Sequence, residues 1–73
     1  MHAQPPNTIR GILLPLTKDL AATPSVMLND PLTTAIEVMI EHNINTVAVV
    51  SNHRPVGRIR LEDALVRVGI HIP

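Results

Sequence analysis

The sequence contains no cysteine and no Phe, Tyr or Trp among its 73 residues. Without thiols it can form neither a disulfide nor a thiolate metal site, on which many small domains depend for stability. A folded chain of this length hides only about 60% of the surface that its unfolded form exposes. We therefore expect the domain to gain stability by burying surface against a partner.

An excess charge of either sign is also missing, because six Lys and Arg residues balance six Asp and Glu residues. A neutral chain is not attracted to nucleic acids or to anionic membranes by charge alone. The longest apolar runs, such as residues 47–50, fall far short of the roughly 20 residues that span a bilayer. These features predict a soluble, cytoplasmic domain with no nucleic-acid partner and no direct membrane insertion.

Catalytic and metal-binding motifs are absent as well. The four histidines are scattered, with no pair at helical spacing and no thiol partner, so we expect no metal site within the chain. No Gly-x-x-x-x-Gly-Lys loop is present to cradle a triphosphate, and no nucleophile or acid–base pair stands out. We expect the protein not to be an enzyme and to require no cofactor.

The chain divides into a short leading segment and one domain. Residues 1–8 carry a proline pair and no apolar periodicity, which is typical of a linker, and residues 9–73 are predicted to form a single domain. Ile9, Ile12 and Leu13 are spaced as in one helical turn before Pro15. The brief apolar run at residues 25–28 suits a short strand.

The clearest predicted element is a helix that begins at residues 29–31. We expect Asp30 to cap the free amides of the helix and Pro31 to occupy its first position. We expect the helix to end at residues 42–43, because Asn43 tolerates a left-handed backbone. Apolar residues recur along the helix with the spacing of one buried stripe: Leu32, Ala35, Ile36, Met39 and Ile40.

The rest of the sequence predicts a hairpin and a second helix. Residues 46–50 are β-branched and apolar throughout, as in a central strand that is buried on both faces. A turn-rich segment at residues 51–55 leads to a return strand at residues 56–60. A helix over residues 61–68 then ends at Gly69. The predicted fold is α/β, a β-α-β-β-α domain with a three-stranded sheet and two helices.

With this order of strands and helices, the sequence from Ile9 to Gly69 resembles the CBS domain family. The likeness lies in the opening segment at residues 9–15, the helix start at residues 29–39 and the central strand at residues 43–50. Residues 55–63 are similar to the family's closing signature Gly-x-x-Thr/Ser-x-x-Asp. The resemblance implies one half of a Bateman-type pair. Since the unit occurs once, it further implies a homodimer about a two-fold axis.

The resemblance also implies a regulatory function. An adenosine-containing ligand, such as AMP, ADP, ATP or S-adenosylmethionine, would bind at the dimer cleft and control an attached transporter or enzyme. Asp63 would accept hydrogen bonds from ribose, and Arg58 or Arg60, which share a face of the return strand, would approach a phosphate. The base would lie against aliphatic residues. The other implied ligand-binding residues are Val26, Ile44, Thr46, Val47 and Gly57.

A second interpretation of the same residues is structural. Arg60 stands where nucleotide-binding members have a Thr or Ser hydroxyl, which favours a dimerisation or protein-interaction module that binds no small molecule. Asp63 suits the positive first turn of a helix and can pair with Arg60. Gly57 suits a turn or bulge, Arg58 can be a solvated edge charge, and the aliphatic residues are core candidates.

Overall fold

The computed structural model describes residues 8–69, and the prediction of a linker falls outside them except at Thr8, which bridges to Pro31. A 3-10 turn at Ile9–Ile12 opens the chain. The elements that follow confirm the predicted order: β1 (Ser25–Met27), α1 (Leu32–Glu41), β2 (Thr46–Ser51), β3 (Arg54–Arg60) and α2 (Leu61–Arg67).

The three strands form one mixed sheet in the order β1-β2-β3. β1 runs parallel to β2, and β3 returns antiparallel to it. β2 is therefore central, as its β-branched sequence predicts. Its residues are buried on both faces of the sheet, since Val47 and Val49 face the core while Ala48, which points the other way, is only 2% exposed.

The β2–β3 hairpin contains a bulge that sets which side chains face the core. Its two turn residues, Asn52 and His53, both have left-handed backbones, with φ of 53° and 66°, as a tight hairpin turn requires. The pairing then shifts between Val49 and Val50, leaving Val56 as the extra residue. Because a one-residue slip exchanges the two faces of a strand, this bulge turns the arginines of β3 away from the core.

Both helices and the opening turn pack against one face of the sheet. The predicted apolar stripe of α1 is confirmed for its fully buried members and for Ile36, which is partly buried, but is wrong for Ile40, which is 63% exposed. Ile40 follows Met39 and so points about 100° further around the helix. The buried core consists of Ile9, Val26, Leu32, Ala35, Met39, Val47, Val49, Ile59 and Ala64.

The start of α1 differs from the prediction, whereas its end agrees. Asp30 does not cap the helix, because its Oδ2 accepts a hydrogen bond of 2.9 Å from the backbone N–H of Met27 and so closes the turn before the helix. Pro31, predicted as the first helical residue, is the extended residue that precedes it. At the other end Asn43 is left-handed, with a φ of 55°, as predicted. α2 likewise ends before Gly69, whose φ is 91°.

Candidate functional site

A cleft of about 300 Å³ opens where β3 passes directly into α2. The start of β2 forms its other wall, because Thr46 pairs with Arg60 and the backbone N–H of Leu61 donates to the carbonyl of Asn45 over 2.8 Å. We call it the Arg60 cleft. Its volume is at the lower end of the range for small-molecule sites. The lining residues are Asn45, Thr46, Arg60, Leu61, Glu62 and Leu65.

Arg60, which lines this cleft, forms a bidentate ion pair with Asp63. Its Nε donates to Oδ2 of Asp63 over 2.9 Å, and its Nη2 donates to Oδ1 over 3.0 Å. The Arg60 side chain is 44% exposed and that of Asp63 29% exposed. The hydrogen bond to Asp63, followed by the charges of Asp63 and Glu62, raises the pKa of Arg60. The pairing expected under the structural interpretation is therefore present, and the guanidinium stays charged.

Gly57 and Arg58, in contrast, contact the opening segment of the chain. A Cβ on Gly57 would lie 2.6 Å from the carbonyl oxygen of Leu14, so this position has no room for a side chain. Arg58 exchanges backbone hydrogen bonds of 2.8 and 2.9 Å with Leu14. Its Nε also donates to the carbonyl of Pro15 over 3.0 Å. In the described structure both residues hold residues 13–15 against β3.

The predicted aliphatic contacts lie mostly in the core. Val26 and Val47 are 3% and 1% exposed, and Ile44 is partly buried against the same core. Their contact with a base stays a prediction. The aliphatic side chains that do line the Arg60 cleft are those of Leu61 and Leu65.

The structure thus brings together only part of the predicted site. Thr46 and Arg60 line the cleft, and Asp63 adjoins it through its ion pair with Arg60. Sequence reasoning missed four lining residues. The sequence signal that could have revealed three of them is the direct passage of β3 into α2. Because no loop separates Arg60 from the helix, Leu61 and Glu62 had to lie beside it, and the pairing of β2 with β3 then places Asn45 alongside. The missed residues are Asn45, Leu61, Glu62 and Leu65.

The sheet face opposite the core carries a second candidate surface. Met27, Ala48 and Val50 share this face, since they alternate with the buried Val26, Val47 and Val49. Arg58 and Arg60 extend it along β3. We call it the outer sheet face. Met27 is 58% exposed there, and within residues 8–69 both helices pack on the other side.

These features define a small α/β module, with both helices on one face of the sheet within residues 8–69 and a cleft at a strand–helix junction. A model of the CBS domain family matches residues 16–69, and the chain belongs to this family. The match begins later than the predicted resemblance, which starts at Ile9. CBS domains are generally regulatory rather than catalytic, commonly bind ligands and typically work in pairs.

The solved structures that are similar to this chain include two that illustrate the likeness. One is the crystal structure of hypoxic response protein I with two coordinated zinc ions, at 35% identity and a TM-score of 0.53, covering 67% of this chain and 38% of that one. The other is the CBS-domain protein ATU1752 from Agrobacterium tumefaciens, at 24% identity and a TM-score of 0.53, covering 68% and 37%. The chain therefore matches less than two fifths of either protein.

No curated protein sequence matches the chain significantly. Within the described residues, no three His, Asp or Glu side chains are grouped so that they could hold a metal ion. No helix within residues 8–69 is both long enough and apolar enough to cross a bilayer.

Proposed function

We propose that the chain is a non-catalytic regulatory module that binds an adenosine-containing ligand at the Arg60 cleft and controls an attached transporter or enzyme. The observation that carries this proposal is the position of Arg60, a cation that lines a cleft and lies beside the carboxylate of Asp63. AMP, ADP, ATP and S-adenosylmethionine all present ribose hydroxyls and an anionic group to such an arrangement.

The hydrogen-bonding capacity of Arg60 supports an anionic ligand. A guanidinium carries five N–H donors, and the two bonds to Asp63 use one on Nε and one on Nη2. The remaining donors have no acceptor among residues 8–69. Arginine also binds phosphate and carboxylate groups through two parallel hydrogen bonds, which makes it suited to this role. Thr46 adds a side-chain hydroxyl to the same wall.

A second copy of the chain is the proposed partner. The central strand is apolar on both faces, yet among residues 8–69 the helices cover only one of them. A sheet of this kind is stable when a second layer covers the other face. The two similar structures are more than twice as long as the part that this chain matches, which leaves room in each for a further layer. We therefore place the homodimer contact on the outer sheet face.

A dimerisation module without a ligand is the second candidate. The observation in its favour is the same ion pair, because the Asp63 carboxylate that would hold ribose is already engaged by Arg60. In that case the cleft would close against the partner copy.

Thermal unfolding with a panel of adenine nucleotides separates the two candidates. A ligand at a hundredfold excess over its Kd stabilises the folded state by about 2.7 kcal/mol, which raises Tm by roughly 10 °C or more in a small domain. We expect such a shift with at least one of adenosine, AMP, ADP, ATP and S-adenosylmethionine, confirmed by titration calorimetry. If a folded, dimeric chain shows neither shift nor heat at millimolar ligand, the interaction module is the correct function.

A further inference from the structure

Resting on the proposed function, we propose that Arg60 acts as an internal competitor for Asp63, so that the site binds phosphorylated nucleosides and discriminates against nucleosides without a phosphate. The guanidinium and a ribose diol would address the same two carboxylate oxygens. Each would form two parallel hydrogen bonds, one to Oδ1 and one to Oδ2. In the structure, Arg60 makes both of these bonds, at 2.9 Å to Oδ2 and 3.0 Å to Oδ1.

The position of the pair makes this competition local and reversible. Arg60 is the last residue of β3 and Asp63 the third residue of α2, so the backbone at both positions is fixed by regular structure. Only the side chain of Arg60 has to move for the carboxylate to be released. It is 44% exposed and makes no other side-chain contact by hydrogen bond within residues 8–69, so this movement disrupts no core packing.

A phosphate changes the balance because it offers the guanidinium a new anionic partner. A nucleoside monophosphate would take over Arg60 through its phosphate and Asp63 through its ribose, exchanging one charge-assisted pair for two contacts. Adenosine offers hydroxyls alone, so it would have to displace a charged donor without providing a replacement for it. Such a device gives specificity by penalising the wrong ligand rather than by improving the right one.

Titration calorimetry of the full chain with adenosine and AMP tests this inference through the variants Arg60→Ala and Arg60→Lys. In Arg60→Ala, adenosine affinity should rise by about two- to fivefold, the worth of an exposed ion pair. AMP affinity should fall by roughly tenfold, because a charge-assisted contact is lost. Arg60→Lys keeps the positive charge but cannot form two parallel hydrogen bonds to Asp63. Adenosine affinity should therefore rise, while AMP should keep most of its wild-type affinity. Arg54→Ala, an exposed arginine at the far end of β3, is the matched control and should change neither.

The outcomes separate the inference from the function on which it rests. If Arg60→Ala weakens adenosine and AMP by the same factor, or leaves both affinities unchanged, Arg60 is not a competitor, although the chain still senses a nucleotide. If neither the wild type nor any variant binds an adenine compound at millimolar concentration, the proposed function fails and this inference fails with it. In the wild type, the Nε–H resonance of Arg60 should shift on addition of AMP and stay in place with adenosine at equal concentration.

Discussion

The two faces of the sheet differ in what covers them, although the central strand is apolar on both. On the inner face, Val47 and Val49 meet the helices and are 1% and 0% exposed. On the outer sheet face, Met27 is 58% exposed beside the same strand. The comparison indicates that the inner face carries the core of a single copy, and the outer sheet face is where we propose that a partner adds stability. Substitutions on each face can therefore separate folding from assembly.

The largest effect is expected from a charge on the inner face. Met39→Asp places a carboxylate at a position that is 0% exposed and surrounded by aliphatic side chains. An unpaired buried charge costs several kcal/mol, which is a large share of the stability of so small a domain. We expect loss of the cooperative unfolding transition by circular dichroism. Thr33→Asp, at an exposed position of the same helix, is the control and should remain folded. A Met39→Asp chain that still folds would contradict the assignment of the core.

On the outer sheet face a charge should act on assembly instead. Met27→Asp should leave the helical signal intact but dissociate the proposed dimer in sedimentation equilibrium at micromolar concentration, because it places a charge in the proposed contact between copies. The comparison variant is Ile40→Asp, at a 63% exposed position on the helical side. If Ile40→Asp dissociates the dimer and Met27→Asp does not, the copies pair through their helices, and the proposed use of the outer sheet face is wrong.

A smaller effect should come from the edge at which the opening segment lies against β3. Gly57→Ala would bring a Cβ to within 2.6 Å of a backbone oxygen of Leu14, which cannot move without breaking its pairing with Arg58. Overpacking of this kind typically costs about 1–3 kcal/mol, measured by urea unfolding. The matched variant is Gly11→Ala, where the new Cβ would meet the flexible guanidinium of Arg67. It should cost clearly less, and equal losses would contradict this explanation.

The hydrophobic pattern of the sequence predicted the fold well. The alternation of element types and the apolar character of β2 depend on burial, which the sequence records directly. The bulge was beyond such reasoning. Counting back from the turn at Asn52 and His53 without it would pair Thr46 with Ile59, whereas the structure pairs it with Arg60. The bulge places one extra residue, Val56, in β3, and a single extra residue of this kind leaves no periodic signal in the sequence.

The candidate site was less predictable for a related reason. The resemblance identified Arg60 and Asp63, and the spacing of three residues allowed their pairing. Whether the two side chains would form an ion pair or both face a ligand depends on rotamers that local sequence does not determine. Asp30 is a second example. Its side chain was predicted to cap α1, but it accepts a hydrogen bond from Met27 and closes the preceding turn instead. Polar side chains with several available partners are where sequence reasoning was least decisive.

The smallest expected effect concerns Glu62, which lies in the first turn of α2 and lines the Arg60 cleft. Around Arg60 there are two carboxylates, those of Glu62 and Asp63, and both help to raise its pKa. If Asp63 binds ribose, Glu62 is the charge that opposes an incoming phosphate. Glu62→Gln should therefore strengthen AMP binding by about two- to threefold at low salt and leave adenosine unchanged, since exposed charges interact weakly. The gain should vanish as the ionic strength approaches about 1 M, where the Debye length is only about 3 Å.

Glu37→Gln, at an exposed position of α1, is the control for a change in net charge alone. An equal gain with Glu37→Gln, or an equal gain for adenosine, would show that no phosphate approaches Glu62 and would move the anion site away from the Arg60 cleft.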